Sequence, residues 1–384
     1  MQTNPLHLTA PPDQPYFIWV LAPYLQTEDP NIDYYYDFSQ SILEYEKVFA
    51  GLQLEWKWQP VSINNYQSVI DGIIEQSAGK IPLILNLCDG DEVNGTPGVS
   101  VIHYLKKKKL IYTGADPYFY DITTSKILMK EVFDQEGIPH AAWKPIHHKD
   151  QDIKNICKAV GTPLIVKPAV SGGSMGLGTE NVVKNTQELN ALVHKLFEGY
   201  RGWDFSFGGL VAEQFISGPE YTVFISGSYS SPRNKKIYTP VERIFHDDLP
   251  DTEKFLSFDR LWETYEKEKP AHEEEDFYQY KAAPENLQKV LTDISWKAYC
   301  ALKGTGYGRV DLRMDQQTGI IYVLEVNAQC GLSEDENFTS IGAIARLGNH
   351  RYEEMIGHIL KDALQRHRTR KGKSLAIKGG VKTL

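Results

Sequence analysis

Two apolar runs near the end of the chain constrain it most: "YGRVDLRMD" (residues 307–315) and "GIIYVLEVN" (residues 319–327), joined by the turn sequence "QQTG". They read as an antiparallel hairpin, in which side chains two apart share a face. Glu325 and Asn327 therefore point the same way, and the hairpin brings Asp311 beside them. Three polar oxygens among apolar residues are costly unless something coordinates them. Two carboxylates and an amide suit Mg²⁺, which leaves room for water and substrate phosphates. The alternatives are an ion pair of Asp311 with Arg309 or Arg313 and a turn role for Asn327. Just beyond stand three acids, Glu334, Asp335 and Glu336.

At 384 residues the chain exceeds one ordinary core, which predicts two or three subdomains. "YFIWVLA" (16–22) and "IPLILNL" (81–87) are continuous apolar runs, as in parallel strands covered on both faces. Between them Ile42, Leu43, Tyr45, Val48 and Phe49 have helical spacing, with Gly51 as a stop. This predicts an open α/β unit over residues 16–120 after a Pro-rich lead-in at 1–15. A helix in "DITTSKILMKEVFDQEGIP", with Asp121 or Thr123 as N-cap, opens a central subdomain over 121–216, with strands in "TPLIVKPAV" and "GGLVAEQFI". The third unit, 217–365, is expected to hold a long loop at 246–284, the hairpin, and a final helix from about Gly342 to His367. Long ordered loops often serve as lids. The basic tail at 366–384 is expected to fray.

The net charge of −9 argues against a general nucleic-acid surface. The four cysteines have no CxxC spacing, the N-terminus has no basic leader, and its apolar run is too short for a membrane span; the expectation is a cytoplasmic protein with reduced thiols. "HEEED" at 272–276 is not HExxH, Lys106 and Lys109 bracket an exposed helix end, His147 and His148 show no partners, and GxSxG is absent. A more informative stretch is "IVKPAVSGGSMGLG" (165–178): a strand delivers Lys167 and a loop of small residues follows. Such a loop lets backbone N–H groups approach anionic oxygens, so it suits a nucleotide phosphate, although a plain turn between strands fits equally well.

Taken in order, "YTGADPYFYDITTSKILMK", "PLIVKPAVSGGSMGLG", "LVAEQFISGPEYTVFI", "GTGYGRVDLRMD" and "YVLEVNAQCGLS" resemble the ATP-grasp superfamily, and within it the D-alanine–D-alanine ligase branch, over roughly residues 110–350. The resemblance implies an α/β (α+β) ATP-grasp fold behind an N-terminal open α/β domain. It also implies that Lys126 and Lys167 contact ATP phosphates under a loop carrying Ser174, that Glu213, Gln214 and Ile216 form an adenine hinge, and that Glu220 takes the ribose hydroxyls. "KFLS" stands where the family has a Lys-Tyr pair, so Lys254 is expected to reach the γ-phosphate, and Phe255 replaces the tyrosine at the substrate side. Asp311, Glu325 and Asn327 match magnesium ligands, with Mn²⁺ as a substitute and two ions expected, and Arg309 matches the arginine that stabilises the tetrahedral intermediate. The implied reaction is ATP-dependent joining of a carboxylate to an amine through an acyl phosphate, on small amino-acid or amine substrates, by a homodimer acting without nucleic acid or membrane.

Both substrate-binding signatures of the family are altered here. Its opening Gly-Gly-x-Ser-x-Glu, whose acid binds the first amino group, is replaced by "APYLQTEDPNID", in which Glu28 or Asp29 is the candidate substitute; its His-Gly and Glu-Asp-Gly segment is replaced by "NLCDGDEVNGTPG". Where the family holds the second substrate's carboxylate, Glu334 and Glu336 would repel it, which favours an amine-bearing or cationic acceptor unless these acids face solvent or cap the following helix. The expectation is a ligase of altered specificity; the alternatives are a genuine D-alanine–D-alanine ligase and a catalytically silent ATP-binding protein.

Overall fold

The computed structural model describes residues 14–25, 37–77, 79–199, 202–262, 268, 277–335 and 339–379, with side chains through 370. Glu28, Asp29, Glu336 and "HEEED" lie outside the described residues.

β1 (Tyr16–Pro23) pairs in parallel with β2 (Glu55–Val61) and β3 (Ile81–Asn86), and β4 (Ile111–Tyr112) extends the sheet beside β3. The parallel pairing requires crossovers, which α1 (Ser39–Gly51) and α2 (Tyr66–Gln76) supply; α3 (Val99–Lys107) follows β3. One helix was expected over 121–139; the segment instead makes α4 (Pro117–Thr124), capped by Asp116, and α5 (Lys126–Glu136), capped by Ser125 and closed by a left-handed Gly137. Pro117 suits the first helical position and Ser125 is an extended N-cap, which is why the helices divide there rather than starting at Asp121 or Thr123.

A second, antiparallel sheet holds β5 (Trp143–Ile146), β6 (Leu164–Pro168), β7 (Val182–Val183) and β8 (Leu210–Gln214) in the order β5-β8-β6-β7, with α6 (Ile156–Val160) and α7 (Thr186–Phe197) against it. The third sheet contains β9 (Glu220–Ser226), β10 (Lys236–Ile237), β11 (Val241–Phe245), β12 (Tyr278–Ala282), β13 (Tyr307–Met314) and β14 (Ile321–Ala328), and runs β12-β11-β9-β13-β14 with β10 beside β9. Residues 246–284 are therefore not one bare loop: they include α8 (Phe258–Leu261) and β12, whose Tyr278–Ala282 register against β11 makes it the outer strand of the sheet. α9 (Glu285–Ala301) covers β13 and β14.

The expected final helix is two: α10 (Ser340–Leu347) ends at Gly348, and α11 (Tyr352–Gly379) continues through part of the tail expected to fray. Two large apolar clusters join the first and third sheets, one through Ile84, Phe119, Met129 and Val326, the other through Val20, Phe49, Phe224 and Ile356. The second sheet is built on its own core of Val166, Leu189, Leu192 and Leu210. The glycine loop and Lys167 thus stand on a unit cored separately from the hairpin they face.

Candidate active site

β13 and β14 pair with Asp311 opposite Glu325, and the register then slips so that Leu312 faces Val323. This bulge re-aims side chains at the point where the acids meet. Asp311 Oδ1 accepts from the Thr222 hydroxyl (3.0 Å), and its Oδ2 accepts from Arg309 Nε (3.0 Å), Arg309 Nη2 (2.9 Å) and Asn327 Nδ2 (2.9 Å). The same amide reaches Glu325 Oε1 at 3.1 Å. Asp311, Glu325, Asn327 and Arg309 therefore form one contiguous group, and the ion-pair alternative for Asp311 is realised with Arg309 alongside the cluster.

Burial pushes the Asp311 carboxyl above its usual value; Arg309 opposes the rise and Glu325 adds to it. For Glu325 burial acts the same way, but Lys126, Lys167 and Arg309 outweigh it and hold the group below the ordinary range. Burial disfavours the Arg309 charge, yet Asp311 keeps that guanidinium firmly protonated. Asp311 is thus a buried carboxylate still short of positive charge, beside a second carboxylate and an amide that exchanges its donor for an oxygen on a half-turn. That donor set fits one hard cation whose remaining ligands come from elsewhere. Among the described residues no group of three or more His, Cys, Asp and Glu side chains converges as a metal site.

Two lysines, Lys126 and Lys167, act on this group by charge. Lys167 leaves β6 with Nζ 2.5 Å from Glu213 Oε1, and Lys130 lies 2.5 Å from Glu213 Oε2. Burial alone would raise the Glu213 carboxyl; the two ammonium groups overcome it and hold it at about 2. Glu213, expected at the hinge, spends its carboxylate on fixing the lysine. Lys126, at the start of α5, donates to the Ser171 carbonyl (3.1 Å) and hydroxyl (3.3 Å); burial lowers its pKa and Glu325 partly restores it.

The loop from Ser171 to Gly178 folds on itself through Met175 N–H to Gly172 (3.0 Å) and Leu177 N–H to Ser174 (3.0 Å). Gly176 must be glycine, because at φ +73° a Cβ would lie 2.7 Å from Phe205 and 2.8 Å from Pro168. The segment after β11 closes over this loop: Ser174 donates to the Leu256 carbonyl (2.9 Å) and Trp262 Nε1 to the Gly173 carbonyl (3.0 Å). Lys254 stays half-buried near Asp251 (3.3 Å), while Phe255 is buried edge-on against Phe215, 6.0 Å between ring centres. Phe255 therefore packs on the hinge strand. Gln214 is exposed, and the Ile216 carbonyl accepts from Arg313 (3.3 Å). Glu220 is gripped by both Arg243 and Arg313, which overcome its burial and keep it ionised.

Sequence reasoning passed over several of these residues. Lys130 stands one turn after Lys126, a spacing that was available as a signal. Asn181 left none: its amide donates to the carbonyls of Val166 (2.7 Å) and Gly176 (2.8 Å) and accepts from Gly178 N–H (2.8 Å), stapling the glycine loop to β6. Past β14, Glu44 of α1 accepts from the Ser333 hydroxyl (2.8 Å) and the Glu334 N–H (2.9 Å). Glu334 is itself exposed, the solvent-facing alternative weighed for these acids.

Three sheets and a site of this composition define an ATP-grasp fold. Solved structures agree: the D-alanine–D-alanine ligase from Bacillus anthracis complexed with ATP has a TM-score of 0.63 at 20% identity, covering 92% of this chain and 99% of that one. The D-alanine–D-alanine ligase from Coxiella burnetii has a TM-score of 0.63 at 16% identity, covering 94% and 99%. At the sequence level, a D-alanine–D-alanine ligase of Pseudoalteromonas atlantica is 27% identical over 271 residues, 70% of this chain and 73% of that protein. One from Clostridium beijerinckii is 24% identical over 333 residues, 83% and 97%. The model of the D-ala D-ala ligase C-terminus family matches residues 132–361, and the chain belongs to that family of ATP-dependent, ADP-forming carbon–nitrogen ligases.

Proposed function

We propose that the chain is an ATP- and Mg²⁺-dependent ligase that joins amino-acid-like substrates through an acyl phosphate, with a substrate range other than two D-alanines. The observation that carries the chemistry is the group Arg309, Asp311, Glu325 and Asn327 set opposite Lys126 and Lys167. In this reading Lys126, Lys167 and the Ser174 loop hold the phosphates, Gln214 and Ile216 flank adenine, and Glu220 takes the ribose while two arginines keep it charged. Asp311, Glu325 and Asn327 would hold one or two Mg²⁺ ions, or Mn²⁺ in their place, and the bound metal would offset charge on the transferring phosphoryl group.

A substrate carboxylate attacks the γ-phosphorus and ADP leaves. A neutral amine then attacks the acyl carbon, and phosphate leaves as the amide forms. Arg309, held along β13 by Asp311, stabilises the oxyanion of that second step. The segment carrying Lys254 closes on Ser174 and Gly173, which keeps water from the acyl phosphate. Altered specificity rests on the replaced substrate segments and on the loop after β14, where Glu44 takes the Ser333 hydroxyl and Glu334 N–H. The relatives' names favour a second reading, a genuine D-alanine–D-alanine ligase, to the same degree. Incubation with ATP and D-alanine separates the two: little dipeptide at millimolar D-alanine supports altered specificity, and efficient dipeptide formation supports the second reading. The setting we infer is a cytoplasmic homodimer; no helix among the described residues is long and apolar enough to cross a membrane.

A further inference from the structure

Arg313 follows Arg309 and Asp311 at two-residue steps along β13, so all three share one face of the strand. Its side chain is buried, and its two terminal nitrogens reach three different segments. Nη1 donates to the Ile216 carbonyl (3.3 Å), while Nη2 donates to the Glu220 carboxylate and to the Lys254 carbonyl (2.8 Å). The guanidinium lies over the Phe215 ring, 5.6 Å from its centre, and Phe215 packs in turn on Phe255. Two of these segments carry proposed nucleotide contacts, and the third is the one that closes on the glycine loop.

The turn that follows β13 repeats the arrangement. Met314 N–H donates to the Pro219 carbonyl (3.0 Å) and Gln316 N–H to the Ser217 carbonyl (2.9 Å), while Gln316 Nε2 reaches Asp251 (3.2 Å), the carboxylate that pairs with Lys254 (3.3 Å). The backbone and the side chain of Lys254 are therefore both held from the end of β13. Glu220 has a second arginine on its other oxygen, Arg243, which the Tyr280 hydroxyl braces at 3.1 and 2.6 Å. Arg313 differs from Arg243 in reaching across to Lys254. A guanidinium carries its donors in fixed directions, so one buried arginine can set the relative positions of three acceptors.

We infer that Arg313 is a positioning residue that places Lys254 for the γ-phosphate, by fixing the closing segment against the same hinge and acid that hold the nucleotide. The inference rests on the ligase reading above, in which Glu220 takes the ribose and Lys254 reaches the γ-phosphate. To act there, Lys254 has to exchange Asp251 for the phosphate, and its held carbonyl is the pivot about which the side chain turns. Because one nitrogen serves both Glu220 and that carbonyl, a shift of the guanidinium moves the lysine relative to the bound nucleotide. No bond is made or broken at Arg313; its effect passes through Lys254, where a misplacement of about 1 Å is enough to lose the contact.

The test is calorimetric titration of the full chain with ADP and with β,γ-imido-ATP, each with Mg²⁺, because the ratio of the two affinities isolates the γ-phosphate and needs no second substrate. Lys254→Met should reduce the preference for the triphosphate roughly tenfold. Arg313→Met should reduce it nearly as much, and the double variant no further than Lys254→Met alone. Its weakened hold on Glu220 should lower the affinity for both nucleotides alike. Arg313→Lys keeps a positive charge beside Glu220 but has one nitrogen where two are needed; it should bind ADP nearly as wild type with the preference still reduced, and it carries the test if Arg313→Met does not fold. An unchanged preference in the Arg313 variants beside a lowered one in Lys254→Met, or losses that add in the double variant, overturns the positioning role, since a merely structural arginine moves both nucleotides equally. No effect of Lys254→Met on the preference takes Lys254 away from the γ-phosphate, and the inference falls with that assignment. Failure of wild type to bind either nucleotide would instead sink the ATP-dependent reading itself.

Discussion

The proposed nucleotide side and the proposed substrate side of the site are built differently. On the proposed nucleotide side Glu213 is held by Lys130 and Lys167 and Glu220 by Arg243 and Arg313, while Asp311 has Arg309 beside it but stays short of positive charge. On the substrate side Asp89 and Glu334 stand exposed, on loops tied to the rest by single side chains such as Gln329 and Glu44. Paired buried charges hold geometry and are costly to alter; exposed acids on pinned loops can change identity with little cost to folding. The reaction can therefore be kept while the substrate changes.

The largest effects should fall on the nucleotide side. Glu325→Gln should lower turnover about 10²-fold or more, read as phosphate release, with the thermal midpoint nearly unchanged, and Arg309→Ala should lower turnover as much while also lowering the thermal midpoint, because it leaves the buried Asp311 without its ion pair. Glu213→Gln leaves Lys130 and Lys167 without their shared carboxylate and should cost about 3–5 kcal/mol in denaturant unfolding. A loss under 1 kcal/mol would mean the lysines find other partners.

The same pair gives a pH dependence. Because the Glu213 carboxyl is held at about 2 from a usual 4.5, its contribution of about 3 kcal/mol is present above pH 4.5 and is lost as pH falls towards 2. In Glu213→Gln that acid-side loss should be smaller. Ser174→Ala removes the hydroxyl bonded to Leu256 and should raise wasteful ATP hydrolysis a few-fold relative to product formed. The smallest effect belongs to Glu334→Gln, expected within about 0.5 kcal/mol of wild-type stability. Unchanged substrate preference in this variant would show that Glu334 only faces water.

The hairpin was legible because strand alternation alone puts Glu325 and Asn327 on one face, and the turn sequence brings Asp311 opposite. The final helix was legible in composition but not in its break at Gly348, since apolar spacing continues on both sides. What stayed hidden depends on contacts remote in sequence. Glu44 meets Ser333 across 289 positions, and nothing local to either residue announces the other. Phe255 could be aligned with a substrate-side tyrosine but not placed, because its position depends on how the segment over the glycine loop folds against Phe215.

The most direct test of the central claim is phosphate release from Mg-ATP over a matrix of amino acids and amines, run beside ATP binding for wild type, Glu325→Gln and Asn327→Ala. The account predicts that at least one substrate pair stimulates release in wild type, and that both variants stay folded but lose the stimulation. Tight ATP binding with no pair active, or full turnover in both variants, would contradict it.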